Sequence, residues 1–84
     1  MESTPIVIQV RLFASARECV VVPHLSQTLP AGATVGDLSA RLYAGYPGLR
    51  VLRLRYAVNT AYAGQETELH YGDEVACIPP VGGG

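Results

Sequence analysis

The residue best placed to do chemistry is the last one. The 84-residue chain ends Val81-Gly82-Gly83-Gly84. Three glycines add nothing to a core, and glycine loses more conformational freedom on ordering than any other residue. Fixing a backbone costs about 1–2 kcal/mol per residue, so this segment is expected to stay mobile in the isolated chain. Pro79-Pro80 just before it stiffens its base and directs it off the domain. Fully extended, Pro79 to Gly84 reaches about 20 Å. Two readings are open at this point. One is a frayed terminus, which is common. The other is a threading device: a backbone without Cβ atoms can enter a narrow channel in another protein and deliver the Gly84 carboxylate to chemistry there. A carboxylate is a poor electrophile and must first be activated, for example by ATP as an acyl adenylate. All catalytic residues would then belong to partners.

The other reactive side chains read more plainly. Asp73 and Glu74 could form an acid–base pair, but Gly72-Asp73 is first a turn and Glu74 a solvated charge. His24 and His70 are unpaired in sequence and read as surface or capping residues. Cys19 and Cys77 are neither a CxxC pair nor a secreted disulfide framework, and read as two reduced thiols with at least one buried. Zinc would need four ligands, and positions 19, 24, 70 and 77 offer no pair two to four residues apart, so no metal is expected. Ser15, Ser26 and Ser39 lie outside any nucleophile elbow. The terminal glycines precede no helix, so they form no phosphate loop. The chain lacks the parts for catalysis on its own.

Composition narrows the partners. Apolar residues make up 49% and charged residues 15%, with a net charge of -1 and a mean hydropathy of +0.23. That is enough apolar material for one thin core and argues against intrinsic disorder. Six arginines and no lysine face seven acidic residues, so there is no basic excess to neutralise phosphates or anionic lipid. Neither nucleic acid nor a membrane is expected as a partner. The apolar runs, Cys19 to Pro23 among them, fall far short of the roughly 20 residues a spanning helix needs. No signal-peptide pattern opens the chain, and the expected location is the cytoplasm. Without lysine, the chain offers no side-chain amine for self-conjugation.

Periodicity supplies the elements that would position the tail. Ile6 to Phe13 alternates with period two and reads as a strand, apolar enough on both faces to be central. Residues 14–23 read as a loop with a short turn of helix. Leu25 to Leu29 reads as a second strand, ended by Pro30-Ala31-Gly32. Thr34 is a helix N-cap with Asp37 three residues on, and Val35, Leu38, Leu42 and Tyr46 make an apolar stripe, so a helix is predicted over 34–46. Leu49 to Tyr62 alternates again, with Leu52, Leu54, Tyr56 and Val58 on one face and a tight turn at Asn59-Thr60. Arg50, Arg53 and Arg55 then read as a solvated strand face, with a partner patch as the alternative. Val75 to Ile78 reads as a last strand, apolar on both faces and placed beside the first. One helix can cover one sheet face, so the predicted fold is α+β: a roll with a mixed sheet and one main helix packed across it. The predicted organisation is one domain over 1–78 and a flexible tail over 79–84.

Several stretches also resemble a known family. Ala33-Thr34-Val35-Gly36-Asp37-Leu38, Tyr46-Pro47-Gly48-Leu49, Ala57-Val58-Asn59, and above all Leu69-x-x-Gly72-Asp73-Glu74-Val75-Ala76-x-Ile78-Pro79-Pro80-Val81-x-Gly83-Gly84 are similar to the sulfur-carrier small subunits of molybdopterin synthase. This ubiquitin-related family also includes the thiamine sulfur carrier. The resemblance covers nearly the whole chain except about 14–30. It implies the β-grasp fold and a sulfur-carrier role in molybdenum cofactor synthesis. It implies that Gly84, presented by Gly83, is adenylated by a ubiquitin-activating-type enzyme using ATP and Mg²⁺. A persulfide donor then converts it to a thiocarboxylate, which gives sulfur to precursor Z. It implies no stably bound cofactor on this chain, and a heterotetramer of two small subunits on a central large-subunit dimer. Val81, Gly82, Pro79 and Pro80 would line the path into the large subunit. Phe13, on an exposed apolar sheet face, is expected to help dock it. Two departures stand out. Position 82 is Gly where the synthase family often has Ser, Thr or Ala, and Ser15 to Pro23 fits less well. A carrier for thiamine or another pathway, a ubiquitin-like modifier, and a plain interaction module are the alternative readings.

Overall fold

The computed structural model describes residues 4–20 and 24–80. The first strand, β1 (Ile6–Leu12), buries Ile6, Ile8, Val10 and Leu12 and turns Val7, Gln9 and Arg11 to the other face. A short helix, α1 (Ala14–Val20), follows at once. Residues 14–20, expected as a loop with a short turn of helix, form this helix, and 21–23 lie outside the described residues. Ala16 and Val20, four residues apart, are both buried, and the Phe13 carbonyl accepts from the amides of Ala16 and Arg17 at 3.0 and 3.4 Å. The helix starts without a side-chain cap, which removes the usual sequence signal.

Strand β2 (His24–Leu29) pairs antiparallel with β1, and a turn through Gly32 leads to the main helix, α2 (Val35–Gly45). Its start is a capping box. Thr34 Oγ1 accepts from the Asp37 amide, and Asp37 Oδ2 accepts from the Thr34 amide at 2.9 Å. The next donors are satisfied by the 65–67 loop: Gly36 N–H donates to the Gln65 carbonyl at 2.8 Å and Val35 N–H to Thr67 at 2.9 Å. Gly36 eases that approach, since a Cβ there would meet the Gln65 carbonyl at 3.2 Å and the loop would have to yield slightly. Val35, Leu38 and Leu42 are fully buried against the sheet, as the stripe predicts, and Tyr46 is half-buried.

The strand expected from Leu49 begins later. Residues Pro47–Leu52 form a 3-10 helix, and only Arg55–Val58 is strand β3. Pro47 presets the helical φ at the first position. Arg53, at φ 53, then sits in the left-handed region, so a continuous strand through 53 is excluded. The face assignment survives this change: Leu52, Leu54 and Val58 pack against the core and Tyr56 is buried within it. Arg50 and Arg53 leave the strand face on which they were expected, and only Arg55 of the three is on a strand.

Asn59 and Thr60, at φ 50 and 76, form the tight turn into β4 (Ala61–Ala63). Two left-handed residues are what the short hairpin turn requires. The last strand, β5 (Glu74–Ile78), follows a turn at Gly72, whose φ of 88 suits glycine. The sheet order is β2-β1-β5-β3-β4. The first and last strands lie side by side and parallel at its centre, as their two-faced apolarity predicts, and the other pairs are antiparallel. α2 covers one face and encloses one core from Ile8, Val10, Leu38, Leu42, Leu49 and Val75 among others.

Candidate functional site: the open sheet face and the end of the last strand

The sheet face opposite α2 is assembled by register. Arg11 lies between His24 of β2 and Ala76 of β5; Ala76 neighbours Ala57 of β3, which faces Tyr62 of β4. Two residues further along, on the same face, Ile78 pairs with Arg55, and Phe13 N–H donates to the Cys77 carbonyl at 3.3 Å, so Phe13 sits beside the end of β5. Phe13 is 45% exposed and Tyr62 70%. The Arg55 guanidinium lies over the Tyr62 ring, 5.6 Å from its centre. A cation over an aromatic face is held by the ring quadrupole, worth about 0.5–1 kcal/mol at an exposed site. Arg11 and Glu74 make an exposed ion pair at 3.5 Å. Such a pair orients side chains more than it stabilises. This end of the sheet thus carries two aromatics, an ordered arginine and the half-buried Ile78. It is suited to gripping another protein.

Pro79 is buried and Pro80 exposed, so the domain surface is crossed between them. Val81, Gly82, Gly83 and Gly84 lie outside the described residues. The structure brings Phe13 next to the end of β5, so two parts of the expected site meet there. It also adds Tyr62, which the sequence reading passed over, and joins it to Arg55, for which a partner patch was the alternative reading. Tyr62 and Arg55 come together only because Asn59-Thr60 makes a two-residue turn, and the φ demand of that turn was the available signal.

The other reactive groups are occupied or apart. The Asp73 carboxylate accepts from the His70 amide at 2.8 Å and from Asn59 Nδ2 at 2.9 Å, while Asn59 Oδ1 accepts from the Glu74 amide at 3.0 Å. These bonds fix the turn into β5, the role expected for Gly72-Asp73. His24 and His70 are exposed. Cys19 is exposed, whereas Cys77 is buried and its thiol is pushed up to about 12 by burial. Among the described residues, no three His, Cys, Asp or Glu side chains gather as metal ligands. No described helix is long and apolar enough to cross a membrane. A hollow of about 470 Å³ is an open groove beside β4 lined by Tyr62, Ala63 and Gln65 among others.

A mixed five-stranded sheet with parallel central strands and one main helix across it defines a ubiquitin-like β-grasp protein. Residues 10–84 match the ThiS family, and the chain belongs to it. It is 40% identical over 80 residues to the molybdopterin synthase sulfur carrier subunit of Mycobacterium tuberculosis, covering 92% of this chain and 96% of that one. It is 34% identical over 85 residues to the subunit of the same name from Arabidopsis thaliana, covering 99% and 88%. Among solved structures, it is similar to a putative molybdopterin converting factor subunit 1 from Pyrococcus furiosus. That match has a TM-score of 0.84 at 28% identity and covers 90% of this chain and 99% of that one. It is also similar to a chain of the complex of subunits 1 and 2 of the molybdopterin-converting factor from Helicobacter pylori. There the TM-score is 0.64 at 26% identity, covering 94% and 100%.

Proposed function

We propose that this protein carries sulfur for molybdenum cofactor synthesis on the carboxylate of Gly84. The observation that carries the reading is its identity, over nearly all its length, to two molybdopterin synthase sulfur carrier subunits. Their shared name favours this pathway over the thiamine one. The geometry is compatible: β5 ends at Ile78 and six residues follow, enough to reach about 20 Å from the sheet.

The chemistry has three steps, and the catalytic groups for each belong to partners. On an activating enzyme, a Gly84 carboxylate oxygen attacks the α-phosphorus of ATP and pyrophosphate leaves. The outer sulfur of a persulfide then attacks the acyl carbon and AMP leaves. A thiol takes the inner sulfur as a disulfide and releases the thiocarboxylate. In the large subunit of the synthase, the thiocarboxylate sulfur, ionised at neutral pH, attacks an oxygen-bearing carbon of precursor Z, and the C–O bond there breaks as the oxygen leaves. Water cleaves the acyl–sulfur bond and regenerates the carboxylate. ATP and Mg²⁺ act on the activating enzyme and not on this chain. Gly82 and Gly83 keep the path narrow, Pro79, Pro80 and Val81 set its base, and Phe13 docks beside it. The complex from H. pylori supports a large-subunit partner for this chain; the arrangement we propose is two small subunits on a large-subunit dimer in the cytoplasm.

Removing Gly84 tests this reading. The shortened chain should still bind the large subunit, since the open sheet face is untouched. It should lose sulfur transfer to precursor Z by at least about a hundredfold, because a misplaced reacting atom costs about that much. Retained transfer would overturn the assignment.

A further inference from the structure

Four of the six arginines of this chain, Arg17, Arg50, Arg53 and Arg55, stand on elements that meet near the end of β5, while Arg11 is on β1 and Arg41 on α2. Arg55 opens β3 and pairs in register with Ile78, where β5 ends. Arg50 lies in the 3-10 helix and Arg53 follows it as the cap. That helix packs against α1, which carries Arg17 and also touches β5. All four arginines are exposed, and among the described residues none of them pairs with a carboxylate; the one arginine that does is Arg11. Among the described residues, Glu18 of α1 is the acidic residue placed with them.

Five of the seven acidic residues gather at the other end. Asp37 is in the first turn of α2, and Glu66 and Glu68 lie in the loop that bonds to that turn. Asp73 precedes β5 and Glu74 opens it. β5 therefore runs from an acidic end to a basic one. Five residues at about 3.3 Å each separate the two by roughly 15 Å. The screening length in physiological salt is only about 8 Å. The two ends do not cancel, and a partner approaching the end of β5 meets positive charge although the chain as a whole carries -1.

We propose that this cationic end is an electrostatic docking surface for an acidic rim on the protein that receives the segment after Ile78. The inference rests on the carrier reading above for the identity of that protein, the synthase large subunit. A folded protein fits better than a polynucleotide. A long polyanion laid over the end of β5 would also meet the acidic end, whereas a rim touches one end only. Arg55, already held over Tyr62, loses less side-chain freedom on pairing than a free arginine would. Charges outside the buried part of an interface act mainly on the rate of encounter.

The test is the association rate of the full chain with the large subunit across a salt series. For wild type, the rate should fall about tenfold from low to high salt, the lower range for electrostatic steering. Arg17→Glu/Arg50→Glu should associate about tenfold more slowly at low salt, meet wild type at high salt, and dissociate at the wild-type rate. Arg53 is left in place so that its left-handed backbone is undisturbed. Glu66→Gln/Glu68→Gln, at the far end, should change the rate less than twofold. An unchanged rate and salt slope in the arginine variant overturns the proposal while leaving the carrier reading intact. Binding of single-stranded RNA through the same arginines, in place of the salt-sensitive protein association, overturns it too. Absence of large-subunit binding at every salt overturns the carrier reading and this proposal with it.

Discussion

Cys77 shows how burial decides which side chains are available for chemistry. It lies seven positions before Gly84, near enough in sequence to compete for an activated acyl group. The fold removes it: the thiol is fully buried in the central strand, and burial raises it from an ordinary 9.0 to about 12. A protonated thiol is a poor nucleophile. The same shift predicts an alkaline weakness. The folded chain keeps a proton that the unfolded chain loses above its ordinary value. Stability is therefore full below pH 9 and falls as pH rises toward 12, by a few kcal/mol at most, to which the buried Tyr56 phenol adds in the same direction. Denaturant unfolding between pH 8 and 11 should show the fall, with a shallower slope in Cys77→Ala. Iodoacetamide should label Cys19 in the folded chain and Cys77 only after unfolding. Equal slopes, or equal labelling, would contradict this account.

At the scale of elements, the sheet and helix are joined by one buried polar contact. The Tyr56 hydroxyl of β3 donates to Ser39 Oγ of α2 at 3.0 Å. Ser39 is buried in an otherwise apolar layer, so Tyr56→Phe leaves its hydroxyl without that partner and should cost about 1–3 kcal/mol. Adding Ser39→Ala should recover part of the loss; a double variant weaker than Tyr56→Phe alone would show that the contact is not what matters. α2 was legible because its signals agree: Thr34 with Asp37, the stripe at 35, 38 and 42, and Pro47 beyond. β1 and β5 were legible as central because both faces are apolar. The stretch 47–54 misled because Leu52, Leu54 and Tyr56 face the core with strand spacing even though 47–52 is a 3-10 helix. Only the φ of Arg53 breaks the pattern, and arginine does not announce a left-handed backbone. α1 was under-read because its two buried residues are too few to set a period. The pairing of Phe13 with the end of β5, and of Arg55 with Tyr62, depends on register, which composition does not specify.

At the scale of the whole molecule, the protein is a small rigid support with its chemistry placed outside the core. The main helix α2 and four other strands hold β5 at the centre of the sheet, so the segment beyond Ile78 starts from the central strand. Charge is sorted along that strand, and the aromatics Phe13 and Tyr62 flank its end. Fold and charge together suit a module that docks on another protein, as the proposed function requires. The central claim is that the Gly84 carboxylate carries sulfur. The most direct measurement is the intact mass of the chain after incubation with its activating enzyme, ATP, Mg²⁺ and a persulfide donor. The account predicts a gain equal to one oxygen replaced by sulfur, located at Gly84 and reversed by the large subunit with precursor Z. An unchanged mass with a demonstrably active enzyme would contradict it.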